Sequence, residues 1–236
     1  MNQRIGILGD VHAEDLRLKA ALSFFEKSRV DLVICTGDIS DGCGDINLSC
    51  RLLAENSVLC VAGNHDRWLL SDKVRSIPLA HKKSDLDIES LCFLEELPSQ
   101  EKIVTPIGEL ILCHGVLDND LGKIWPGTEG TKIERAEPLD ELLESFPPRL
   151  LINGHVHYRT IIDFNYCQVL NAGTLRGDYP AVTIIDCAAG QVDGYVISGG
   201  LSVELKRSVS LFDREDRRVW RNTQEFDGNW IPATLN

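Results

Sequence analysis

The chain has 236 residues, a hydrophobic share of 43% and a formal net charge of −12 at neutral pH. This length predicts one domain, or one domain with a small extension, and enough apolar residues for a sizeable core. No apolar run reaches the length of a membrane span, and so acidic a chain argues against binding to a nucleic-acid backbone.

The eight cysteines do not predict a disulfide scaffold. Cys35, Cys60 and Cys113 fall inside apolar, strand-like runs, and no C-x-x-C pair occurs. We interpret the cysteines as mostly reduced core residues of a cytoplasmic protein, in keeping with an N-terminus that does not resemble a signal peptide. Thiolate ligation of a metal is the alternative, which their placement inside strands disfavours.

In the first half of the chain, predicted strands alternate with predicted helices. Strand-like runs at 4–8, 31–35 and 57–62 are separated by segments with apolar residues at helical spacing, 14–27 and 45–55. This order predicts βαβαβ topology and a mostly parallel sheet.

The middle of the chain contains two predicted loops. Residues 71–86 are polar and predict a surface loop, and 87–97 predict a helix that Pro98 ends. A strand at 107–113 is followed by a long loop with several glycines, 114–132. Loops of this length often serve as lids or binding loops, and a solvent-exposed connector is the equally weighted alternative.

After a predicted helix at 136–146 and a strand at 149–153, the pattern changes to short strands joined by turns. These strands are predicted near 158–163, 166–170, 181–186 and 191–197. Short turns between strands indicate antiparallel pairing. A chain that begins with βαβ units and ends with hairpins requires a mixed sheet, or two sheets packed between helices.

The most informative pattern is that five of the six histidines stand at the ends of predicted strands, while His81 lies in a polar stretch. The motifs are Gly9-Asp10-Val11-His12, Gly37-Asp38, Gly63-Asn64-His65-Asp66, His114-Gly115 and Gly154-His155-Val156-His157. Side chains at successive strand ends converge on one crevice of an open α/β sheet, so we expect these groups to meet.

Each motif alone is also explained by a turn, a helix cap or a strand-end salt bridge. Together they supply oxygen and nitrogen ligands without a thiolate. The seven candidate ligands are Asp10, His12, Asp38, Asn64, His114, His155 and His157. Seven ligands exceed the need of one tetrahedral zinc and suit two divalent ions that share a bridging carboxylate. Such a cleft is positive and attracts phosphate, although the whole chain is acidic.

The order D-x-H, G-D, G-N-H-D, H-G and G-H-x-H resembles the calcineurin-like metallophosphoesterase superfamily. Asn171-Ala172-Gly173-Thr174 is similar to the N-P-G-S segment of its small bacterial and archaeal phosphodiesterase branch, with Ala172 in place of the usual Pro. The resemblance covers roughly residues 1–197. It implies an α/β fold, a four-layer α/β/β/α sandwich of two mixed sheets flanked by helices. We expect this domain to span 1–200, with 201–236 as a C-terminal extension, either a docked strand or a tail.

Matched motif by motif, the resemblance also implies roles for individual residues. Asp10, His12 and His157 would hold a first metal, Asn64, His114 and His155 a second, and Asp38 would bridge the two. His65 would act as general acid or stabilise the phosphate charge, and Asp66 would orient His65 from behind. One departure is that residues 37–43 lack the Arg of the G-D-x-x-D-R-G motif of the protein serine/threonine phosphatases.

The predicted function is a two-metal phosphoesterase, with a phosphodiesterase acting on a small phosphate ester as the leading form. A hydroxide bridging the two ions would attack phosphorus while His65 protonates the leaving group. Mn²⁺ is the expected metal, with Fe, Zn²⁺ or Ni²⁺ as alternatives. Arg67, Lys123 and Arg176 are candidate contacts to phosphate or substrate, although arginines and lysines at a surface are usually just solvated.

Two other functions are considered. Some members of the superfamily, such as a retromer subunit, are catalytically silent scaffolds that bind protein partners, and the complete ligand set here disfavours that function. A nuclease is disfavoured by the negative charge and the short chain. The sequence fixes neither the natural substrate nor the oligomeric state.

Overall fold

The structure is a computed structural model that describes residues 3–235. The elements of the first half are β1 (Arg4–Leu8), α1 (Asp15–Lys27), β2 (Leu32–Cys35), α2 (Ile46–Glu55), β3 (Leu59–Cys60), α3 (Asn64–Leu70) and α4 (Ile88–Glu95). The second half contains β4 (Gln100–Thr105), β5 (Gly108–Cys113), α5 (Glu137–Ser145), β6 (Leu150–Asn153), β7 (Arg159–Phe164), β8 (Gln168–Ala172), β9 (Ala181–Asp186), β10 (Gln191–Ile197), β11 (Val203–Ser210), β12 (Val219–Trp220) and β13 (Ala233–Thr234).

These strands form two mixed sheets. The first has the order β11-β10-β9-β1-β2-β3, in which β1, β2 and β3 are parallel and the other three are added antiparallel. The second has the order β12-β7-β8-β6-β5-β4, with β13 also paired to β7. The parallel start and the antiparallel pairs β7–β8 and β9–β10 agree with the patterns of the sequence.

Four layers result because the central strands are apolar on both faces. In β1, Ile5 and Ile7 pack into the core between the sheets, whereas Leu8 faces the helices. Helices α1, α2 and α4 cover the outer face of the first sheet. Helix α5 and the C-terminal segment cover the outer face of the second. The predicted α/β/β/α sandwich is confirmed.

Strand β4 and helix α3 were not expected from the sequence. Strand β4 is an edge strand whose side chains are mostly half-buried or exposed, so it carries little of the apolar signal that marks the central strands. Helix α3 begins directly at Asn64 and has only seven residues, too few for a helical period to stand out. The loop over 71–86 contains one short 3-10 helix, Lys83–Asp85.

Residues after 200 pack on both sheets. Strand β11 pairs antiparallel with β10, and β12 and β13 both pair with β7. Trp220, Phe226 and Trp230 are buried in the cluster that also contains Leu139 of α5. Asp140 of α5 accepts hydrogen bonds from the backbone and hydroxyl of Thr223. The division of the chain at residue 200 stays a prediction.

The eight cysteines are free thiols, six of them buried and two, Cys43 and Cys92, exposed. Among the helices that the structure describes, none combines the length and the apolar character that a membrane span requires.

Arg159 joins the two sheets through a guanidinium that is almost fully buried, with 2% exposed. It donates hydrogen bonds from β7 to the carbonyl oxygens of Val182 and Tyr195 in the first sheet and of Leu235 near the C-terminus. Burial lowers the pKa of Arg159 to about 10, which leaves it charged at neutral pH.

Replacement Arg159→Met therefore removes a buried charged donor from three carbonyl groups. We expect the free energy of unfolding to fall by about 2–5 kcal/mol, measured by urea denaturation. The exposed Arg207 provides the control, because Arg207→Met removes a charge without a buried partner. A loss below about 0.5 kcal/mol in Arg159→Met, the range of an ordinary surface substitution, would contradict the bridging role.

Candidate metal centre

The strand ends of both sheets meet at one edge of the sandwich. Asp10 follows β1, Asp38 lies beyond β2, and His114 follows β5 directly. With His12 and Asn64, these residues are no more than 1% exposed. His155 is half-buried and His157 is 42% exposed, so the cluster opens to solvent on their side. The structure thus brings all seven predicted metal ligands together.

The first group of donors is Asp10, His12 and His157. The Nε2 atoms of His12 and His157 lie 3.1 Å apart, and His157 Nε2 lies 3.1 Å from Asp10 Oδ2. Two nitrogens that each lie about 2.0–2.1 Å from a common ion are separated by about 3 Å. The spacing of this group therefore fits a single cation.

The second group is Asp38, His114 and His155, with Asn64 beside them. His114 Nε2 lies 3.3 Å from Asp38 Oδ2 and 3.0 Å from Asn64 Oδ1. Asp38 Oδ2 is also 4.0 Å from His12 Nε2, so this carboxylate faces both groups. The donors comprise carboxylate and amide oxygens together with imidazole nitrogens, which suits Mn, Fe, Zn or Ni.

Backbone groups orient two of the imidazoles. His114 Nδ1 lies 2.7 Å from the Thr36 carbonyl oxygen, and His12 Nδ1 lies 3.1 Å from the carbonyl oxygens of Ser40 and Asp41. A ring nitrogen that donates to a carbonyl leaves the opposite nitrogen with a free lone pair. Nε2 of both rings therefore faces the cluster as a ligand atom.

Four of the predicted ligands have left-handed backbone conformations. The φ angles are 48° at His12, 47° at Asp38, 65° at His155 and 57° at His157. Asp and His adopt this region more readily than bulky residues, and such conformations concentrate at functional sites. On an extended segment, side chains two residues apart, such as those of Asp10 and His12, would point the same way. Instead, a turn at His12 makes the two side chains converge.

Two motif glycines allow the carboxylates to approach the backbone. A Cβ atom at Gly154 would collide with Asp10 Oδ1, and one at Gly63 would collide with Asp38 Oδ1. These carboxylates accept hydrogen bonds from the amides of the neighbouring residues, His155 to Asp10 and His65 to Asp38. Any side chain at either glycine would push a candidate ligand out of place.

The two buried carboxylates favour a positive charge at His114. Burial opposes a charge on His114, but the carboxylates of Asp38 and Asp10 outweigh it and raise the pKa of this imidazole. Burial likewise opposes a charge on Asp38. The attraction of His114 is stronger than this effect of burial and lowers the pKa of the Asp38 carboxyl. Burial lowers the pKa of His155 to about 4, so this ring is neutral, as ligation requires. A bound cation in this field would take the place of the His114 proton.

His65 lies beside the first group, with its ring centroid 4.9 Å from that of His12. Its Nδ1 lies 2.7 Å from Asp41 Oδ2, and its Nε2 lies 4.0 Å from Asp38 Oδ2. Burial disfavours a charge on His65, but the bond to Asp41 and the charge of Asp38 outweigh it and raise the pKa of the imidazole. The ring is therefore held in one orientation, and its charged form is favoured.

The prediction that Asp66 orients His65 is wrong. Asp66 Oδ1 accepts hydrogen bonds from the amides of Ile39 and Ser40, and Oδ2 accepts one from the amide of Gly63. Through these hydrogen bonds, the Asp66 carboxylate connects the start of α3 to the loop after β2. Burial raises the pKa of Asp66 to about 6. The carboxylate behind His65 is Asp41.

Asp41 is itself clamped by the loop over 71–86. Arg75 donates to both carboxylate oxygens of Asp41, at 2.8 and 3.0 Å, and the amide of His81 donates to Oδ1 at 2.9 Å. The amide of Asp41 in turn donates to His81 Nδ1. Burial favours a neutral Asp41, but the bonds from His65 and Arg75 outweigh it and lower the pKa of this carboxyl. Sequence reasoning missed Arg75 and His81 because they lie in a polar segment without a strand-end motif.

The three candidate basic contacts differ in their surroundings. Arg67 is engaged in a bidentate ion pair with Asp120, and Arg176 lies in the loop after β8. Lys123 lines a cleft that His155 also lines. Of the three, Lys123 is the one placed beside a predicted metal ligand.

Comparison with known proteins gives a family and a set of similar folds. The family model of the calcineurin-like phosphoesterases matches residues 3–159, more than half of the chain. A metallophosphoesterase from Sphaerobacter thermophilus is 22% identical, with a TM-score of 0.63 over 84% of this chain and 89% of that one. Yfce, a phosphoesterase from E. coli, is 14% identical, with a TM-score of 0.53 over 89% of this chain and 100% of that one.

A single mutant of Vps29 from Entamoeba histolytica is 17% identical, with a TM-score of 0.54 over 88% of this chain and 98% of that one. No curated protein sequence matches significantly. At these identities the three structures share a fold with the chain, and the family assignment rests on the family model. The chain belongs to the family of calcineurin-like phosphoesterases, metal-dependent hydrolases of phosphoric esters.

Proposed function

We propose that the chain is a two-metal phosphodiesterase that acts on a small phosphate ester. The observation that carries the proposal is that two groups of donors face each other across Asp38. Asp10, His12 and His157 would hold one ion, Asn64, His114 and His155 the other, and Asp38 would be shared. Mn²⁺ is the ion we expect, and Fe, Zn²⁺ or Ni²⁺ also suit these donors. Two such ions would polarise a phosphoryl oxygen and make a bound water more acidic.

His65 is the proton donor in this proposal. In the charged form of the ring, Nδ1 donates to Asp41 and the proton on Nε2 points toward the space in front of Asp38. As the bond between phosphorus and the leaving oxygen breaks, that proton would neutralise the developing alkoxide. Asp41 does not face the reacting atoms, and we assign it as the residue that positions His65.

A protein-binding scaffold with a silent site is the alternative that the sequence left open. The similarity to Vps29 concerns the fold alone, at 17% identity. A ligand set that contains two buried carboxylates is costly to maintain without a bound cation. This cost favours an enzyme over a silent scaffold. The proposed preference for diesters has a different basis, the resemblance of residues 171–174 to the phosphodiesterase branch.

Replacement Asp38→Asn tests the shared ligand. Because the amide keeps the shape of the carboxylate and removes its charge, we expect bound Mn²⁺ and turnover of bis-p-nitrophenyl phosphate to be lost together. Metal content after dialysis and initial rates measure the two effects. The control is Asp216→Asn, an exposed acidic residue of the C-terminal segment. An Asp38→Asn protein that keeps its metal and its turnover contradicts the shared role.

Replacement His65→Ala tests the general acid. We expect metal content to be retained and hydrolysis of diesters with poor leaving groups to slow by about 10²–10⁴-fold. Nitrophenyl esters should be affected much less, because nitrophenolate departs without a proton. Rates on an alkyl and a nitrophenyl diester, measured side by side, decide the matter. Equal losses on both would remove the general-acid role.

Replacement Asp41→Asn tests the positioning of His65. The residue has a φ of 67°, which Asn tolerates, so the backbone should be preserved. We expect the same selective loss on alkyl diesters as in His65→Ala, at a smaller size of about 10–100-fold. Arg75→Gln should show a milder form of it, and the exposed Arg221→Gln is the matched control. A uniform loss on alkyl and nitrophenyl esters would instead indicate a merely structural role.

A further inference from the structure

A cleft of about 230 Å³ opens beside His155. Its walls include Lys123, Trp125 and Lys132 from the long loop after β5, and Tyr158 from the segment before β7. Pockets that enclose a whole drug-sized ligand measure about 300–1,000 Å³. A cleft of this size beside the predicted ligands therefore suits one substituent of a substrate whose phosphorus lies at the metal centre.

The floor of the cleft is a rigid aromatic platform. Tyr158 stacks on Trp125, with ring centroids 5.0 Å apart and 30° between the planes. Trp125 is 7% exposed and is fixed by the hydrogen bond from its Nε1 to Thr131 Oγ1, at 2.7 Å. Tyr158 is 53% exposed. A half-exposed aromatic face that is held from behind is a suitable surface for a flat ring.

The cleft carries more positive than negative charge. Lys123 and Lys132 line it together with one acidic residue, Glu134. In the part of the chain that the structure describes, the lysine ion pairs are formed elsewhere, by Lys83, Lys102 and Lys206. Two ammonium groups without a carboxylate partner attract an anionic group, in contrast to the net charge of −12 of the whole chain.

The cleft and the proposed proton donor lie beside different donor groups. His65 is next to His12, with 4.9 Å between ring centroids, whereas His155 is next to His114, at 5.3 Å. The leaving oxygen of a phosphodiester must be near the group that protonates it. The cleft by His155 is therefore on the side of the other ester group, the one that stays on phosphorus.

We propose that this cleft binds the retained ester group of the substrate, with a flat ring on Tyr158 and a second anionic group between Lys123 and Lys132. The substrate class is then a nucleotide phosphodiester. This inference rests on the proposed function, because it requires phosphorus to be bound at the metal centre. It assigns specificity to residues that are outside the candidate ligand set.

Three p-nitrophenyl diesters test the cleft, because nitrophenolate leaves from each and the probes differ only in the retained group. These groups are methyl, thymidine through its 5′ oxygen, and the same thymidine with a 3′-phosphate. We expect Tyr158→Ala to lower the ratio of kcat/KM for the thymidine ester to that for the methyl ester about tenfold. Tyr158→Phe should retain that ratio, because it retains the ring.

The lysines are tested by the third probe. Lys123→Ala and Lys132→Ala should each lower the preference for the 3′-phosphate roughly fivefold. Tyr166→Ala and Lys206→Ala are controls, since both residues are exposed and lie outside the cleft, and both ratios should be unchanged in them. An unchanged thymidine ratio in Tyr158→Ala overturns the proposal.

Failure of the proposed function would give a different result, absence of Mn²⁺-dependent turnover of the methyl ester by the natural sequence. In that case, the affinity for thymidine 3′,5′-bisphosphate, measured by calorimetry in the presence of Mn²⁺, tests separately whether the cleft binds a nucleotide. About tenfold weaker binding to Tyr158→Ala supports the cleft, and equal affinities of the two proteins overturn it.

Discussion

Asp10 and Asp38 are two carboxylates that are fully buried where the ends of both sheets meet, and the surrounding structure compensates their charge. Buried charges are costly unless they are paired and hydrogen-bonded. The amides of His155 and His65 donate to them, and imidazoles from both sheets face them. The left-handed turns and the motif glycines bring these donors into place. The same compensation that stabilises the carboxylates creates a position for cations, which links the fold to the chemistry of the family.

Another buried acid, Asp41, connects this centre to a surface loop. Its carboxylate is hydrogen-bonded to His65, and it also accepts hydrogen bonds from Arg75 and from the amide of His81. Asp66, close by in sequence, is used for the backbone at the start of α3 instead. Two buried carboxylates near one histidine thus have separate tasks, because Asp66 bonds backbone amides and Asp41 bonds the His65 ring. The loop over 71–86 therefore belongs to the candidate active site, although it contains no predicted ligand.

Much of the centre was predictable because parallel strands end at a common edge, and the residues after them converge. Predicting such a convergence requires only an apolar strand followed by a polar turn, and β1, β2 and β5 each provide both. Such a prediction fails where no strand precedes the residue, as for Arg75 and His81, and where a side chain has two possible directions, as for Asp66. Strand β4 was not predicted either, because an edge strand with exposed side chains lacks the apolar signal of the central strands. The aromatic pair Trp125–Tyr158 brings together residues from two loops, a contact that no local pattern encodes.

In the proposed metal centre, one set of seven side chains binds two ions. The most direct test is to titrate Mn²⁺ into metal-stripped protein while counting bound metal and following hydrolysis of bis-p-nitrophenyl phosphate in the same samples. We predict two Mn²⁺ per chain at saturation and turnover that rises as the second site fills. Binding of one ion or none, or turnover that persists after the metal is removed, would contradict the two-metal centre.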